Sequence, residues 1–275
     1  MPHAAAGLIL IVPWNKKGNS KIITMGTQSG VLRLKGKVGE LSFYRTKDGY
    51  GVRKSEGIDG KRIKNDPRYQ RTRENAVEFG NACQSAKVLR HALRSYYSDS
   101  SDRYASRRLI RTMMEILHTD PSHGRGERVV MSGDLSKLKG FNFNEAAPLA
   151  TTLKVKPTLA IDREAGTLTV SVPPINPLRD VRPVPGATYA RLSAIAVEVD
   201  FEQKSAVVGS AESEPILLNG PNLPAISLTA SLTPNSSLPV IALIALQFVQ
   251  VVQDTEYSLN SGTFNSMAII DVSNP

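Results

Sequence analysis

The residues best suited to chemistry are one cysteine and four histidines. Cys83 and His91 are the pair closest to a nucleophile with its base, but eight residues of helix would separate them by about 12 Å of rise. Such catalysis needs a hydrogen-bonded contact, so we expect Cys83 to be a small buried thiol. His118 and His123 flank Asp120 and Pro121, a segment that lacks a full set of metal ligands. The sequence therefore predicts neither a catalytic pair nor a metal site.

Motifs of common active sites are also missing from the sequence. It contains no G-x-x-x-x-G-K-[ST] loop and no G-x-G-x-x-G turn after a predicted strand. Neither H-E-x-x-H nor G-x-S-x-G occurs. We therefore expect a protein without enzymatic activity, cofactor or evident small-molecule substrate.

Basic residues around two predicted helices form the most suggestive group. Three arginines precede the first helix, three cations share the face of that helix opposite its apolar stripe, and three arginines recur four residues apart on the second helix. These candidate anion or partner contacts are Arg68, Arg71, Arg73, Lys87, Arg90, Arg94, Arg103, Arg107 and Arg111. A column of like charges is destabilising by about 0.2–0.5 kcal/mol per pair unless an anion lies along it. Nucleic acid, a second subunit and solvent alone all stay open as what this surface contacts.

Charge is divided unevenly along the chain. Residues 1–150 hold 27 Lys or Arg against 14 Asp or Glu, and residues 151–275 hold 7 against 11. The first part is therefore +13 and the second −4, within a formal net charge of +9. A basic segment of this kind is typical of proteins with an anionic partner, and it could also dock on the acidic part of a second copy.

The first 24 residues contain an apolar run that is followed by Pro13 and Trp14. The run is too short to span a bilayer, which takes about 20 residues, and no Lys or Arg precedes it as in a secretory signal. Its β-branched residues favour an extended strand. Three interpretations stay open: an extension upstream of a start at Met25, a strand of the chain's own sheet, or a strand given to a neighbouring copy. The candidate subunit contacts of this arm are Leu8, Ile9, Leu10, Ile11 and Val12.

Residues 25–120 predict a basic α+β domain with a small antiparallel sheet and a helical hairpin. Strands are expected at Gly30–Gly36, Leu41–Arg45 and Tyr50–Arg53, with a tight turn at Asp48-Gly49 because this dipeptide readily adopts positive φ.

Apolar spacings of three and four predict an amphipathic helix from Glu74 to Tyr97 and a second helix from about Arg103 to Leu117. The predicted apolar stripe of the first helix comprises Phe79, Ala82, Cys83, Ala86, Leu89, Leu93 and Tyr96. We expect this helical hairpin to pack on the small sheet before it, because an isolated sheet of this size is only marginally stable.

The remainder of the chain predicts an all-β domain at 151–275, joined by a glycine-punctuated connection at 121–150. Several segments alternate apolar and polar residues, and the long apolar run Leu238–Val252 indicates a central strand. Six or seven short strands over this length favour an Ig-like or fibronectin-like β-sandwich.

Two motifs carry a resemblance to a group of uncharacterised bacterial proteins. They are QSGVLRLKGKVGELSFYRTKDGY at Gln28–Tyr50 and DPRYQRTREN at Asp66–Asn75. The resemblance covers about residues 28–95 and implies one coherent N-terminal domain, but it implies no activity and no catalytic residue. Members of that group commonly begin a few residues before the Gln-Ser-Gly motif, so residues 1–24 are a departure from them.

Taken together, these patterns predict a non-enzymatic structural or interaction protein. We expect it to form homo-oligomers or filaments by strand addition and by contacts between oppositely charged domains. The alternative is a nucleic-acid-associated protein that binds phosphates through the basic helical hairpin. The sequence leaves open whether the protein is cytoplasmic or part of an exported assembly.

Overall fold

The computed structural model describes residues 25–28, 34–47, 49–54, 58, 60–252, 255–259 and 262–274. Its chain forms two compact units, one ending at Gln70 and the other beginning at Arg71. As predicted, helix and sheet are mixed, with a small antiparallel sheet towards the N-terminus and larger antiparallel sheets towards the C-terminus. The candidate arm contacts, Leu8–Val12, lie outside the described residues.

The first unit is a four-stranded antiparallel sheet followed by a short helix. In the sheet the order is β1-β4-β3-β2. Its elements are β1 Met25–Thr27, β2 Gly36–Val38, β3 Leu41–Thr46, β4 Gly49–Lys54 and α1 Gly60–Asn65, followed by a 3-10 turn at Pro67–Tyr69.

The predicted pairing of β3 with β4 is confirmed, but Thr46 pairs with Gly49, so Gly49 begins β4 and is not one of the two turn residues. Its φ is positive, at 135°. The strand predicted at Gly30–Gly36 falls partly outside the described residues, which do not include 30–33. Among its described residues, only Gly36 belongs to a strand.

None of the described side chains of this unit is buried. Several large apolar side chains are instead exposed, and Val38 is 63% exposed. The others are Leu34, Leu41 and Ile58. Three or more strands need an apolar face packed against something to be stable, so the described part of this sheet has no core of its own.

Three helices lead into the second unit, namely α2 Gln70–Ala92, α3 Arg94–Ser100 and α4 Ala105–Leu117. The single helix predicted at Glu74–Tyr97 is therefore longer at its start and interrupted at Leu93. The predicted stripe is buried at Ala82, Ala86, Leu89, Leu93 and Tyr96. It is wrong at Phe79, which is 54% exposed, and Cys83 is half-buried.

Two antiparallel sheets make up the rest of the second unit. One has the order β10-β6-β5, and the other has the order β12-β11-β7-β8, with β13 also on β11 and β9 also on β7. The strands are β5 Thr158–Asp162, β6 Thr167–Val172, β7 Tyr189–Asp200, β8 Ser205–Glu212, β9 Ile216–Leu217, β10 Ile226–Ser231, β11 Val240–Val252, β12 Thr255–Ser258 and β13 Ser266–Ser273. Short helices α5 Leu149–Thr152 and α6 Pro177–Asp180 and 3-10 turns at Val130–Ser132 and Leu135–Leu138 lie in the connections.

The six-stranded sheet lies between the helices and the three-stranded sheet. On one face, Ile195 and Leu243 share a core with the helical stripe. On the other face, Leu192 and Ile244 share a second core with Val170 of the three-stranded sheet. The central strands β7 and β11 therefore bury both faces, as a sheet covered on both sides requires.

This arrangement corrects the expected position of the helical hairpin. Its apolar stripe packs on the six-stranded sheet of the second unit. The physical reason is that the three-stranded sheet covers only one apolar face of the larger sheet, and the helices cover the other.

Candidate partner-binding surfaces

Three of the nine predicted basic contacts are paired with carboxylates. Arg68 Nη2 lies 2.7 Å from Asp66 Oδ2 in the first unit, and its hydrogen bonds lower the pKa of Asp66 to about 2. In the second unit, Arg71 Nη1 lies 3.7 Å from Glu74 Oε2 and Arg111 Nε lies 3.1 Å from Glu115 Oε1. These pairs reduce the positive charge that the predicted surface offers to a partner.

The predicted arginine column of the second helix is shorter than expected. Helix α4 begins at Ala105, so Arg103 lies before it. The guanidinium carbons of Arg103 and Arg107 lie 4.9 Å and 6.0 Å from the ring centroid of Tyr104. Because Tyr104 is itself 47% exposed, two cations and one aromatic ring form an exposed cluster before and at the start of α4.

The remaining predicted contacts lie along α2 and α3. Lys87 and Arg94 are exposed, whereas Arg73 and Arg90 are half-buried. The Nε atom of Arg90 is buried and has no hydrogen-bond partner in the described part of the chain. Of these four cations, the structure therefore leaves Lys87 and Arg94 exposed to solvent and partly buries Arg73 and Arg90.

Arg108, which the sequence did not distinguish from its basic neighbours, is the arginine with the most structural contacts in this region. It donates to both carboxylate oxygens of Asp102 at 2.9 and 2.8 Å and to the carbonyl oxygens of Asn142 and Phe143. Its Nε also lies 3.1 Å from Glu145 Oε1. Arg108 therefore joins α4 to the connection that follows it.

Each histidine of the segment considered as a metal site lies beside a buried carboxylate. His123 Nδ1 lies 2.8 Å from Asp120 Oδ2, and His118 Nε2 lies 3.6 Å from Glu78 Oε2. Glu78 also accepts a hydrogen bond from the Gly126 amide at 2.8 Å. In the part of the chain that the structure describes, no group of three or more His, Cys, Asp or Glu side chains is placed to hold a metal ion.

The contacts of Asp120 fix the loop that carries these histidines. Its burial alone would raise the pKa of the carboxyl group, but hydrogen bonds from the Val129 and Ser122 amides and from His123 outweigh burial and lower the pKa to about 2. The geometry is that of a carboxylate holding a loop in place.

Strand β8 forms an edge of the six-stranded sheet. It pairs with β7 in continuous register, and its residues Ser205–Ala211 carry no charge and no proline. Val207 is 54% exposed and Val208 is 38% exposed. Edge strands of soluble proteins usually carry charges, prolines or bulges that prevent further pairing, so β8 is suited to accept another strand.

The opposite edge of the same sheet is covered in part. The backbone amides of Gly140 and Phe143 donate hydrogen bonds to the carbonyl oxygens of Ile269 and Met267, respectively. The Ile269 amide donates to the carbonyl oxygen of Phe141. The segment Phe141–Asn144 therefore shields part of β13, and an isolated bridge joins Asn142 to Ala268.

Comparisons with known proteins add no further constraint. No protein-family model matches the chain, and neither a curated protein nor a solved structure is significantly similar to it. Among the described residues, no helix is both long enough and apolar enough to cross a membrane.

Proposed function

We propose that the protein is a non-enzymatic structural or interaction protein that associates with further copies of itself. The observation that carries this proposal is the small sheet of the first unit, in which no described side chain is buried and Val38 is 63% exposed. Covering such apolar surface is favourable, by about 25 cal/mol for each Å² removed from water. A second copy of the chain would supply the missing cover.

Charge supports a partner for the first unit but gives less support to contacts between oppositely charged domains. Residues 1–70 hold 14 Lys or Arg against 5 Asp or Glu, and residues 71–275 hold 20 against 20. The whole net charge of +9 therefore belongs to the first unit, and the second unit is neutral. Because a neutral unit attracts a basic one only weakly, apolar contact and strand pairing are the better basis for self-association.

Strand addition at β8 is the second element of the proposal. The acceptor would be the uncharged span Ser205–Ala211. The donor would be the apolar arm Leu8–Val12 of a neighbouring copy, whose β-branched residues favour an extended strand. An added strand would hydrogen-bond to the free side of β8 and cover the exposed valines.

The oligomeric state of matched lysine variants tests this proposal. Val38→Lys places a charge on the small sheet and Val207→Lys places one on β8. We expect each substitution, and also deletion of residues 1–24, to reduce the mass of the oligomer measured by size-exclusion chromatography with light scattering. Val77→Lys is the control, because Val77 is 50% exposed on α2 and belongs to neither of the two proposed contact strands. A wild-type protein that is monomeric up to high concentration, or variants all indistinguishable from wild type, would contradict self-association.

Nucleic-acid binding is the second candidate, and the exposed cluster of Arg103, Tyr104 and Arg107 favours it. An aromatic ring between guanidinium groups can stack on bases while the cations contact phosphates. We expect fluorescence anisotropy to show affinity for single-stranded oligonucleotides that falls steeply with salt, and a shallower salt slope after Arg103→Ala and Arg107→Ala. Arg111→Ala is the control, since Arg111 is already paired with Glu115. Absence of binding at low salt would eliminate this function.

We further propose that the two sheets of the second unit are an elaborated Ig-like or fibronectin-like sandwich. The support is that two antiparallel sheets face each other across a shared core. The helices on the outer face of the larger sheet would then be an addition to that architecture.

A further inference from the structure

A cationic cleft of about 430 Å³ lies between α2 and the turn that joins β7 to β8. Its polar lining consists of Gln84, Lys87 and His91 from the helix and Lys204 from the turn, and its apolar lining includes Val88 and Ala206. Both apolar residues pack against the core between the helices and the six-stranded sheet. The cleft therefore combines an apolar floor with a cationic rim, and its volume is in the range of small-molecule sites.

Lys204 has a backbone conformation that lysine rarely adopts. Its φ is 58°, in the left-handed region that favours Gly and Asn. The turn is held in shape by Asp200, whose Oδ1 accepts hydrogen bonds from the amides of Glu202 and Gln203 at 2.9 Å each, and by the buried ring of Phe201. A lysine at such a position places a cation at the cleft at a cost in backbone strain, and strain of this kind is concentrated at functional sites.

The charges of this cleft are not balanced within it. No acidic side chain lines it, and the structure gives Lys87, His91 and Lys204 no ion pair with the described part of the chain. Glu202 of the same turn lines an adjoining smaller cavity of about 200 Å³, which shares Gln84 and Lys204 with the cleft. Cations from two separate elements therefore face the same space without a carboxylate between them.

We propose that this cleft binds a small organic anion, with its phosphate or carboxylate group between Lys87 and Lys204 and its apolar body on Val88 and Ala206. Charge complementarity selects the anionic group, and the apolar floor selects an organic molecule over an inorganic ion. This site shares Ala206 with the span of β8 proposed above as a strand acceptor, but it involves neither the first unit nor the exposed valines of β8.

Titrations of the full-length protein with phenyl phosphate and with benzoate test the site and separate the two anionic groups. Binding is measured by isothermal calorimetry and by amide chemical shifts of His91 and Ala206. We expect saturable binding of at least one of the two probes, and at least tenfold weaker binding to Lys87→Gln and Lys204→Asn. Asn tolerates a positive φ, so Lys204→Asn removes the cation while keeping the turn and should not lower the melting temperature. Lys137→Gln, an exposed lysine outside the cleft, is the matched control and should bind as wild type does.

Three results would overturn the proposal. The first is that neither probe binds. The second is that inorganic phosphate binds as tightly as phenyl phosphate, which would mean that the apolar floor contributes nothing. The third is that phenyl phosphate does not bind to the wild type or to the variants, whereas Lys87→Gln and Lys204→Asn weaken the binding of an oligonucleotide. That result would mean that these cations bind nucleic acid.

Discussion

Asp102 couples the stability of the second unit to pH. The carboxylate accepts hydrogen bonds from Arg108 and from the amides of Glu145 and Tyr104. Its burial alone would raise the pKa, but these hydrogen bonds outweigh burial and lower the pKa from 3.8 to about 2. A lowered folded-state pKa stabilises the protein above the unfolded value of about 3.9, and this stabilisation is lost as the pH falls towards 2.

Replacing Asp102 with Asn removes this titration. We expect Asp102→Asn to lower the free energy of unfolding at pH 7 by about 1–3 kcal/mol, because Arg108 loses one of its two charged partners. We also expect the loss of stability between pH 4 and pH 2 to become less steep than in wild type. Urea unfolding followed by circular dichroism at several pH values measures both effects.

The exposed pair of Arg111 and Glu115 provides the control for Asp102→Asn. Such a surface pair contributes only about 0–1 kcal/mol, so Glu115→Gln should change both quantities little. If Asp102→Asn kept the wild-type pH dependence, the hydrogen bonds of Asp102 would not be the source of that dependence.

Sequence patterns did not reveal which charged residues have structural roles. Arg107 and Arg108 are adjacent and identical in type, yet one lies over an exposed tyrosine ring and the other is bound by carboxylates and carbonyls. The partners of Arg108 at Asn142, Phe143 and Glu145 lie more than thirty positions away along the chain. No local spacing rule can identify such partners.

At the level of elements, apolar periodicity predicted the helical stripe well where the stripe packs on the sheet. It was wrong at Phe79 because the first turns of α2 bury Glu78 instead. Glu78 is buried through its contacts with the Gly126 amide, His118 and Arg128. The pattern of apolar residues cannot predict that this face of α2 is buried, because a polar loop covers it.

The central strands were predicted more reliably than their surroundings. The largely apolar run Leu238–Val252 indicated a central strand, and β11 is placed between β7 on one side and β12 and β13 on the other. In β7 the large residues Ile195, Val197 and Val199 alternate with smaller or charged ones, but the small residues Ala194 and Ala196 are equally buried. Alanine is a weak signal of burial in sequence although it fits well between closely packed sheets.

At the scale of the whole molecule, sequence adjacency was a poor guide to which layers pack together. The helices follow the small sheet in the chain, but their stripe shares a core with strands more than one hundred residues later. The deciding factor is the amount of apolar surface to be covered, because the six-stranded sheet has two apolar faces and the described small sheet buries no side chain. We expect the same imbalance to make the first unit the less stable of the two.

The two units should therefore unfold in separate steps. The second unit has two extended cores and should unfold cooperatively at the higher temperature. The first unit, which depends on association for its cover, should unfold first, at a temperature that rises with protein concentration because binding to the folded state stabilises it. Differential scanning calorimetry of the full-length protein over a hundredfold range of concentration measures both transitions. In Val38→Lys we expect the temperature of the first transition to lose its dependence on concentration, while the temperature of the second transition stays unchanged. A single transition at a concentration-independent temperature in the wild type would show instead that the small sheet is stabilised within its own chain.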